Sequence, residues 1–501
     1  MRPLIHDCAP ASAPEAVAER LQGEPGLILL RSGGGGPGSR YSFLAARPFL
    51  TFQASGSRCQ LESADGSRVQ FGNPWHLLER AIERYEVLEE LDSPFPAGGC
   101  FGFWGYDLKN FVEPKVSRRA GNDLELPDAW LGFYDSLAVW DHSLHKTWII
   151  ATGLAADGTR TEQRAQAQYQ AWESRLSGAV SPLPSLAEKC LSSPRSNLSR
   201  EDFIARVRRA QNYIRSGDIY QVNLSHRLTA EFGGPPFQVF RRLSEVSPAP
   251  YSAFLDAGAV QLASSSPELF LRLSGSQVIT RPIKGTRPRS TDPTRDAQLS
   301  YELLTSPKET AELVMITDLL RNDLGRVCEF GSVQVPDLMT LERFPHVQHL
   351  VAAVEGRLRP EITHLEALRA CFPGGSITGA PKFRAMEIID ELEPLSRGPY
   401  TGALGYLGFN RESQLSIIIR TAVFKAGLVH FHVGAGIVAD SSPEAEYDET
   451  IAKAGGFLDC LRAPQKVGGF SSPVIKASRT GSADVPALPK DLNSPPRSAE
   501  Q

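Results

Sequence analysis

Gln277-Val278-Ile279-Thr280-Arg281-Pro282-Ile283-Lys284-Gly285-Thr286-Arg287-Pro288-Arg289 alternates like a strand over its first four residues. Two prolines and a glycine then predict an irregular turn. One lysine, Lys284, stands inside that constrained backbone, between an isoleucine and the glycine. A basic turn after a hairpin strand accounts for these residues taken alone. A lysine kept only for solubility, however, does not call for so constrained a backbone. The choice between the two readings rests on what surrounds the stretch.

Three neighbouring segments carry chemistry. Ser306-Pro307-Lys308-Glu309-Thr310-Ala311-Glu312 opens a helix, with serine as cap and proline at the first helical position. Glu309 falls where a capping box puts its glutamate; Glu312, one turn on along the same face, has no capping duty. Ser442-Pro443-Glu444-Ala445-Glu446-Tyr447-Asp448-Glu449-Thr450 repeats the device, with Glu446 and Glu449 at i, i+3 and Lys453 a further turn on. Such glutamates complement a helix dipole. Two such helices meeting would also suit a hard cation, because magnesium needs only a few carboxylates beside waters and a ligand oxygen. Pro373-Gly374-Gly375-Ser376-Ile377-Thr378-Gly379-Ala380-Pro381-Lys382 runs into a helix over 383–392. Backbone N–H groups in such a loop favour an anion, and alanine after Gly379 breaks the Walker spacing, so a carboxylate or small anion fits better than a nucleotide.

Gly434-Ala435-Gly436-Ile437-Val438-Ala439 matches a dinucleotide fingerprint, yet its last three residues still read as strand and the next helix waits for Pro443. Bare strand backbone open to a ligand is the reading that remains. Upstream, Ser199 caps a helix whose apolar stripe is Phe203, Val207, Ala210 and Ile214, with Gly217 placed to end it. In the first part of the chain Leu27-Ile28-Leu29-Leu30 reads as a buried strand followed by a glycine-rich hairpin loop at 33–38. Residues 74–90 and 160–176 have helical spacing, and 98–106 reads as a glycine-aromatic strand lying close against another backbone. The organisation expected is an N-terminal region 1–176, a Ser/Pro-rich linker or loop 177–198, an ordered region 199–462 and a disordered tail 463–501.

At 501 residues the chain exceeds one ordinary core. Its 41% hydrophobic and 22% charged residues are those of a soluble globular protein. A net charge of −4 and a pI near 6.3 give no electrostatic reason to expect nucleic acid or an anionic membrane as partner. The seven cysteines form no C-x-x-C pair, which points to free thiols in a reducing compartment rather than zinc. With no signal-peptide core near Met1 and no apolar run of roughly 18 residues, a cytoplasmic protein without a membrane span is expected.

Several of these segments resemble the chorismate-utilising enzymes, a family that includes anthranilate synthase component I and aminodeoxychorismate synthase component I. The resemblance is carried by Gly217-Asp218-Ile219-Tyr220-Gln221-Val222-Asn223-Leu224, Ser266-Pro267-Glu268-Leu269-Phe270, the 281–289 stretch, 319–325, 371–394 and 434–453. Residues 98–106 and Arg40-Tyr41-Ser42-Phe43 match more thinly. It implies an α+β fold of two packed, mostly antiparallel β-sheets flanked by outer helices, with 199–462 as the chorismate-binding catalytic region.

The resemblance also implies residue roles. Glu312 and Glu449 match magnesium ligands, supported by Glu309 and Glu446, with Lys453 near them. Gly285, Thr286, His349, Ser376, Tyr400, Arg420, Gly434, Ala435 and Gly436 match substrate-contacting positions, and a fixed guanidinium such as Arg420 suits a carboxylate. Glu268 matches the acid that helps the ring hydroxyl leave. Before Gly285, anthranilate synthases generally carry alanine and aminodeoxychorismate synthases typically carry lysine; here it is Lys284. The implied reaction is therefore amination of chorismate at ring carbon 4, through a covalent Lys284 intermediate, giving 4-amino-4-deoxychorismate for 4-aminobenzoate and folate synthesis. The alternative is anthranilate formation for tryptophan synthesis. An amine attacks only when neutral, which asks for a desolvated Lys284. Gln221 stands where water-using relatives carry a lysine base. No cysteine sits in a glutaminase-like elbow, so ammonia is expected from a separate glutamine amidotransferase subunit. Ser32, Arg40, Tyr41, Ser42, Phe43, Pro250, Tyr251 and Ser252 match the neighbourhood of the family's tryptophan pocket.

Overall fold

Along Ile28–Arg31, Ile28 and Leu30 join one apolar cluster while Leu29 joins another, because successive strand side chains point to opposite faces. Tyr41–Ala45 does the same, with Phe43 and Ala45 on one side and Leu44 on the other. A strand buried on both faces reads as a continuous apolar run, and it belongs to a sheet covered on both sides. The structure, a computed structural model, describes residues 2–8, 12–33, 39–87, 91, 93–178, 192–344 and 347–461. The glycine run after Gly33, most of the 177–198 stretch and the tail from 463 lie outside these residues.

Among the described residues there are two sheets of 12 strands each, with every ladder antiparallel, and eleven α-helices. The two-sheet α+β architecture expected from the sequence is the one observed. The sheets face each other across a core that includes Ile28, Phe43 and Leu262 from one and Phe101, Phe103 and Tyr406 from the other. The Phe43 and Tyr406 rings meet at 5.1 Å across it. Outside the first sheet lie the helices Glu162–Ser177, Pro236–Val246 and Pro443–Leu461; outside the second lie Pro74–Glu83, Pro307–Gly325 and His364–Cys371. None of the described helices is long and apolar enough to cross a membrane.

Strands from residues 1–176 and from 199–462 share both sheets. Ile28–Arg31 pairs with Tyr251–Asp256 in one, and Gly99–Trp104 pairs with Ala403–Gly408 in the other. The close backbone approach expected at 98–106 is present: a Cβ at Gly102 would lie 2.1 Å from the Trp130 carbonyl oxygen.

The 281–289 stretch is not the irregular turn its prolines suggest. Gln277–Arg281 and Ile283–Pro288 lie end to end along one edge of Val347–Arg357. The same register runs from Gln277↔Arg357 to Lys284↔Leu350. Pro282 has no N–H to give, but its carbonyl accepts from the Ala352 amide at 3.2 Å, so the pairing carries through the break. The register slips only at Gly285, whose φ of 66° makes it the left-handed residue of a β-bulge. A Cβ there would meet Leu303 Cδ1 at 2.5 Å. The bulge re-aims the strand at the residue next to Lys284.

Candidate active site

A cavity of about 690 Å³ opens beside that bulge. Its walls include residues 283–287, the first turns of Pro307–Gly325, successive turns of Pro443–Leu461 from Glu446 to Phe457, the short 3-10 turn Gly375–Ile377, and part of Leu428–Ile437. Lys284, Glu268, Gly285, Thr286, His349, Ser376, Tyr400, Arg420, Gly434, Gly436, Lys453, Glu309, Glu312, Glu446 and Glu449 all line it. Ala435 does not: strand alternation turns it into the apolar cluster of Phe203, Val222 and Ile388, where it is fully buried. Asn223, part of the 217–224 motif but given no role there, and His432, which no motif included, also line the cavity. His432 stacks on Tyr400 at 5.0 Å and 11°. It lies two residues before Gly434 on the same face, a spacing that would have found it.

Glu268, at 6% exposure, follows the strand Gln261–Ser266. Burial pushes its carboxyl up to about 7, against the opposing pull of the Ser376 hydroxyl and Lys284. A carboxyl with that midpoint holds a proton it can deliver near neutral pH. The Lys284 side chain is 14% exposed, and its Nζ stands 4.0 Å from Glu312 Oε2. His349 shares a 2.9 Å hydrogen bond between Nδ1 and Thr286 Oγ1. Burial, with Arg420 nearby, lowers its ring to about 4, so it is a neutral imidazole at pH 7. Arg420 has a left-handed φ of 50°; its carbonyl accepts from the Ser265 amide at 3.1 Å, while its guanidinium has no hydrogen bond or ion pair among the described residues. Burial lowers its guanidinium below the usual value. A strained, unpartnered guanidinium in a cavity suits a ligand carboxylate.

Four carboxylates and four cations interleave at the cavity's other end. Glu449 pairs with Lys453 at 2.7 Å, and Lys453 also donates to the Gly434 carbonyl at 3.0 Å. Glu309 meets Arg287 at 3.5 Å instead of closing the expected capping box; only Ser306 caps that helix, through the Glu309 amide. Arg287, from the bulged strand, draws the carboxylate toward the cavity. Lys308 stands 4.0 Å from Glu312 and 3.9 Å from Glu446. Burial raises the carboxyls of Glu312 and Glu446, and each feels a neighbouring glutamate. Glu449 is pushed up by burial too, but Lys453 holds it below its usual value.

The loop 373–382 contributes Ser376 and Ile377 to the cavity wall. Ser376 reaches the cavity, but the Lys382 ammonium turns away to Asp323 at 2.5 Å and the Cys371 carbonyl at 2.9 Å. Of the other matched set, Ser32, Tyr41, Phe43, Pro250, Tyr251 and Ser252 line a separate cavity of about 20 Å³. That is room for about one water, so an indole would have to displace these side chains. Arg40 is drawn off to Asp141 at 2.8 Å, and Ser42 bonds to His142 at 2.7 Å.

Residues 38–459 match the model of the chorismate binding enzyme family. Anthranilate synthase component 1 of Synechocystis is 40% identical over 464 residues, covering 88% of this chain and 91% of the relative. Aminodeoxychorismate synthase component 1 of Klebsiella aerogenes is 40% identical over 447 residues, covering 88% and 95%. The crystal structure of anthranilate synthase component I from Streptococcus pneumoniae superposes with a TM-score of 0.74 at 33% identity, covering 84% of this chain and 92% of that one. With the matched region enclosing every residue of the cavity wall and all of the second sheet, the chain belongs to the chorismate-binding enzyme family.

Proposed function

We propose that the chain aminates chorismate at ring carbon 4, as an aminodeoxychorismate synthase component I. The observation that carries this reading is Lys284, a largely buried amine beside the bulge, in the same cavity as the protonatable Glu268. The Lys284 amine adds at ring carbon 2, the double bond shifts, and the carbon 4 hydroxyl takes the Glu268 proton and leaves as water. Ammonia then adds at carbon 4, the double bond returns, and the lysine amine departs from carbon 2. One chorismate and one ammonia give one 4-amino-4-deoxychorismate and one water. Arg420 and Tyr400 hold the substrate, a neutral His349 with Thr286 and Ser376 lines its ring, and Gln221, an amide, offers no base to activate water.

The donor set fits magnesium. Glu309, Glu312, Glu446 and Glu449 offer hard oxygens in one cavity, and their mutual charge is relieved by a cation. Among the described residues no three His, Cys, Asp or Glu side chains form a finished cage, so these carboxylates would hold the ion together with substrate and water oxygens. When bound, magnesium supplies positive charge against the ring carboxylate. A glutamine amidotransferase subunit supplies the ammonia; the "component 1" names of the relatives support a two-part enzyme.

A second reading, anthranilate synthesis, rests on the relatives of that name at the same 40% identity. One experiment separates them: chorismate, magnesium chloride and ammonium salt at alkaline pH, with products resolved by chromatography. Aminodeoxychorismate is expected, and fluorescent anthranilate in its place refutes the proposal. Lys284→Ala is expected to abolish or reroute turnover while leaving chorismate binding intact.

A further inference from the structure

We infer that Lys308 is the site's internal counter-ion, bridging the two glutamate-bearing helices until a divalent cation displaces it. The inference rests on the reading of those glutamates as cation ligands. Lys308 belongs to Pro307–Gly325, yet its Nζ lies 3.9 Å from Glu446 Oε1 on Pro443–Leu461 and 4.0 Å from Glu312 Oε1 on its own helix. The two carboxylates are 6% and 13% exposed, so neither is neutralised by bulk water alone. At these distances the ammonium is a point charge between two acceptors and is hydrogen-bonded to neither. A magnesium ion bound to both would need that space at bonds of about 2.0–2.1 Å.

The other cations of the cluster are held elsewhere. Lys453 is tied to Glu449 and the Gly434 carbonyl. Arg287 donates to the Thr286 carbonyl at 2.9 Å and faces Glu309. Lys284 is only 14% exposed and faces into the cavity rather than bulk water. Lys308 is 55% exposed on a flexible four-carbon stem, so it can swing into water without breaking another contact. A cation entering the substrate-free protein therefore competes with Lys308. Removing the lysine raises cation affinity. If Lys308 served only to tie the helices together, its removal would loosen the glutamates and lower that affinity. The two roles predict opposite signs.

The test is calorimetric titration of magnesium chloride into the substrate-free full chain, for the wild type, Lys308→Met, Lys308→Arg and Glu312→Gln. Lys308→Met is expected to bind magnesium roughly tenfold more tightly, given a half-exposed competing charge about 4 Å from each carboxylate. Lys308→Arg keeps the charge and is expected to match the wild type; Glu312→Gln is expected to lose the binding. If Lys308→Met binds equally or more weakly while the wild type binds through Glu312, the counter-ion role is overturned and the metal-site reading stands. If no protein shows Glu312-dependent binding, both fall.

Discussion

Glu268→Gln divides two consequences of burying one acid. Burial lifts the Glu268 carboxyl from 4.5 to about 7. Between those values the folded chain holds a proton that the unfolded chain has released, so folding loses stability as pH rises. The contribution is intact below 4.5 and is lost as pH climbs through about 7. At about 1.4 kcal/mol per pH unit, the ionised side chain costs the folded state about 3 kcal/mol by pH 8.5. Glutamine keeps the shape and cannot ionise. Urea unfolding of wild type and variant at pH 5 and pH 8.5, followed by tryptophan fluorescence, is expected to show the variant gaining about 2.5 kcal/mol relative to wild type between the two conditions, part of the cost being present already at pH 5. Any fixed cost of the new amide cancels in that comparison. The same change is expected to lower chorismate turnover by about 10²- to 10⁴-fold, the usual worth of a general acid. A stability difference that does not move with pH would refute the burial argument, and undiminished turnover would refute the acid role.

Two further substitutions probe the cavity walls. Gly285→Ala puts a side chain at a φ of 66° and 2.5 Å from Leu303 Cδ1, so a loss of roughly 1–3 kcal/mol is expected in thermal unfolding, with turnover falling as the bulge shifts Lys284. Arg420→Lys keeps the charge but loses the planar fork. KM for chorismate is expected to rise about tenfold with little change in melting temperature, and an unchanged KM would count against carboxylate binding there.

Local chemistry was legible where it is local. Ser199 and Ser306 cap the helices they were expected to cap, and Gly434 with Gly436 lies in strand, as the delayed Pro443 helix start foretold. Misreadings arose where a distant partner decides. Pro282 breaks a chain locally, yet Val347–Arg357, some way downstream, carries the strand past it. Spacing gave Glu309 a capping duty, whereas Arg287 from another element claims its carboxylate. Motif matching grouped Ala435 with its flanking glycines, although a period of two sends it to the opposite face. Strand order was not legible at all: nothing near 98–106 announces Ala403–Gly408 as its neighbour.

That strand order governs how the chain must be made. Gly99–Trp104 leaves the ribosome with one edge open, and the segment that closes it, Ala403–Gly408, follows roughly 300 residues later, about 15–60 s at ordinary synthesis rates. Ile28–Arg31 waits in the same way for Tyr251–Asp256. Both sheets therefore stay open through most of translation, and a nascent chain halted midway presents unpaired strand edges to its neighbours. Active enzyme thus depends on protection of those edges during synthesis, and truncation at the end of the first third yields an aggregating fragment instead of a smaller folded unit.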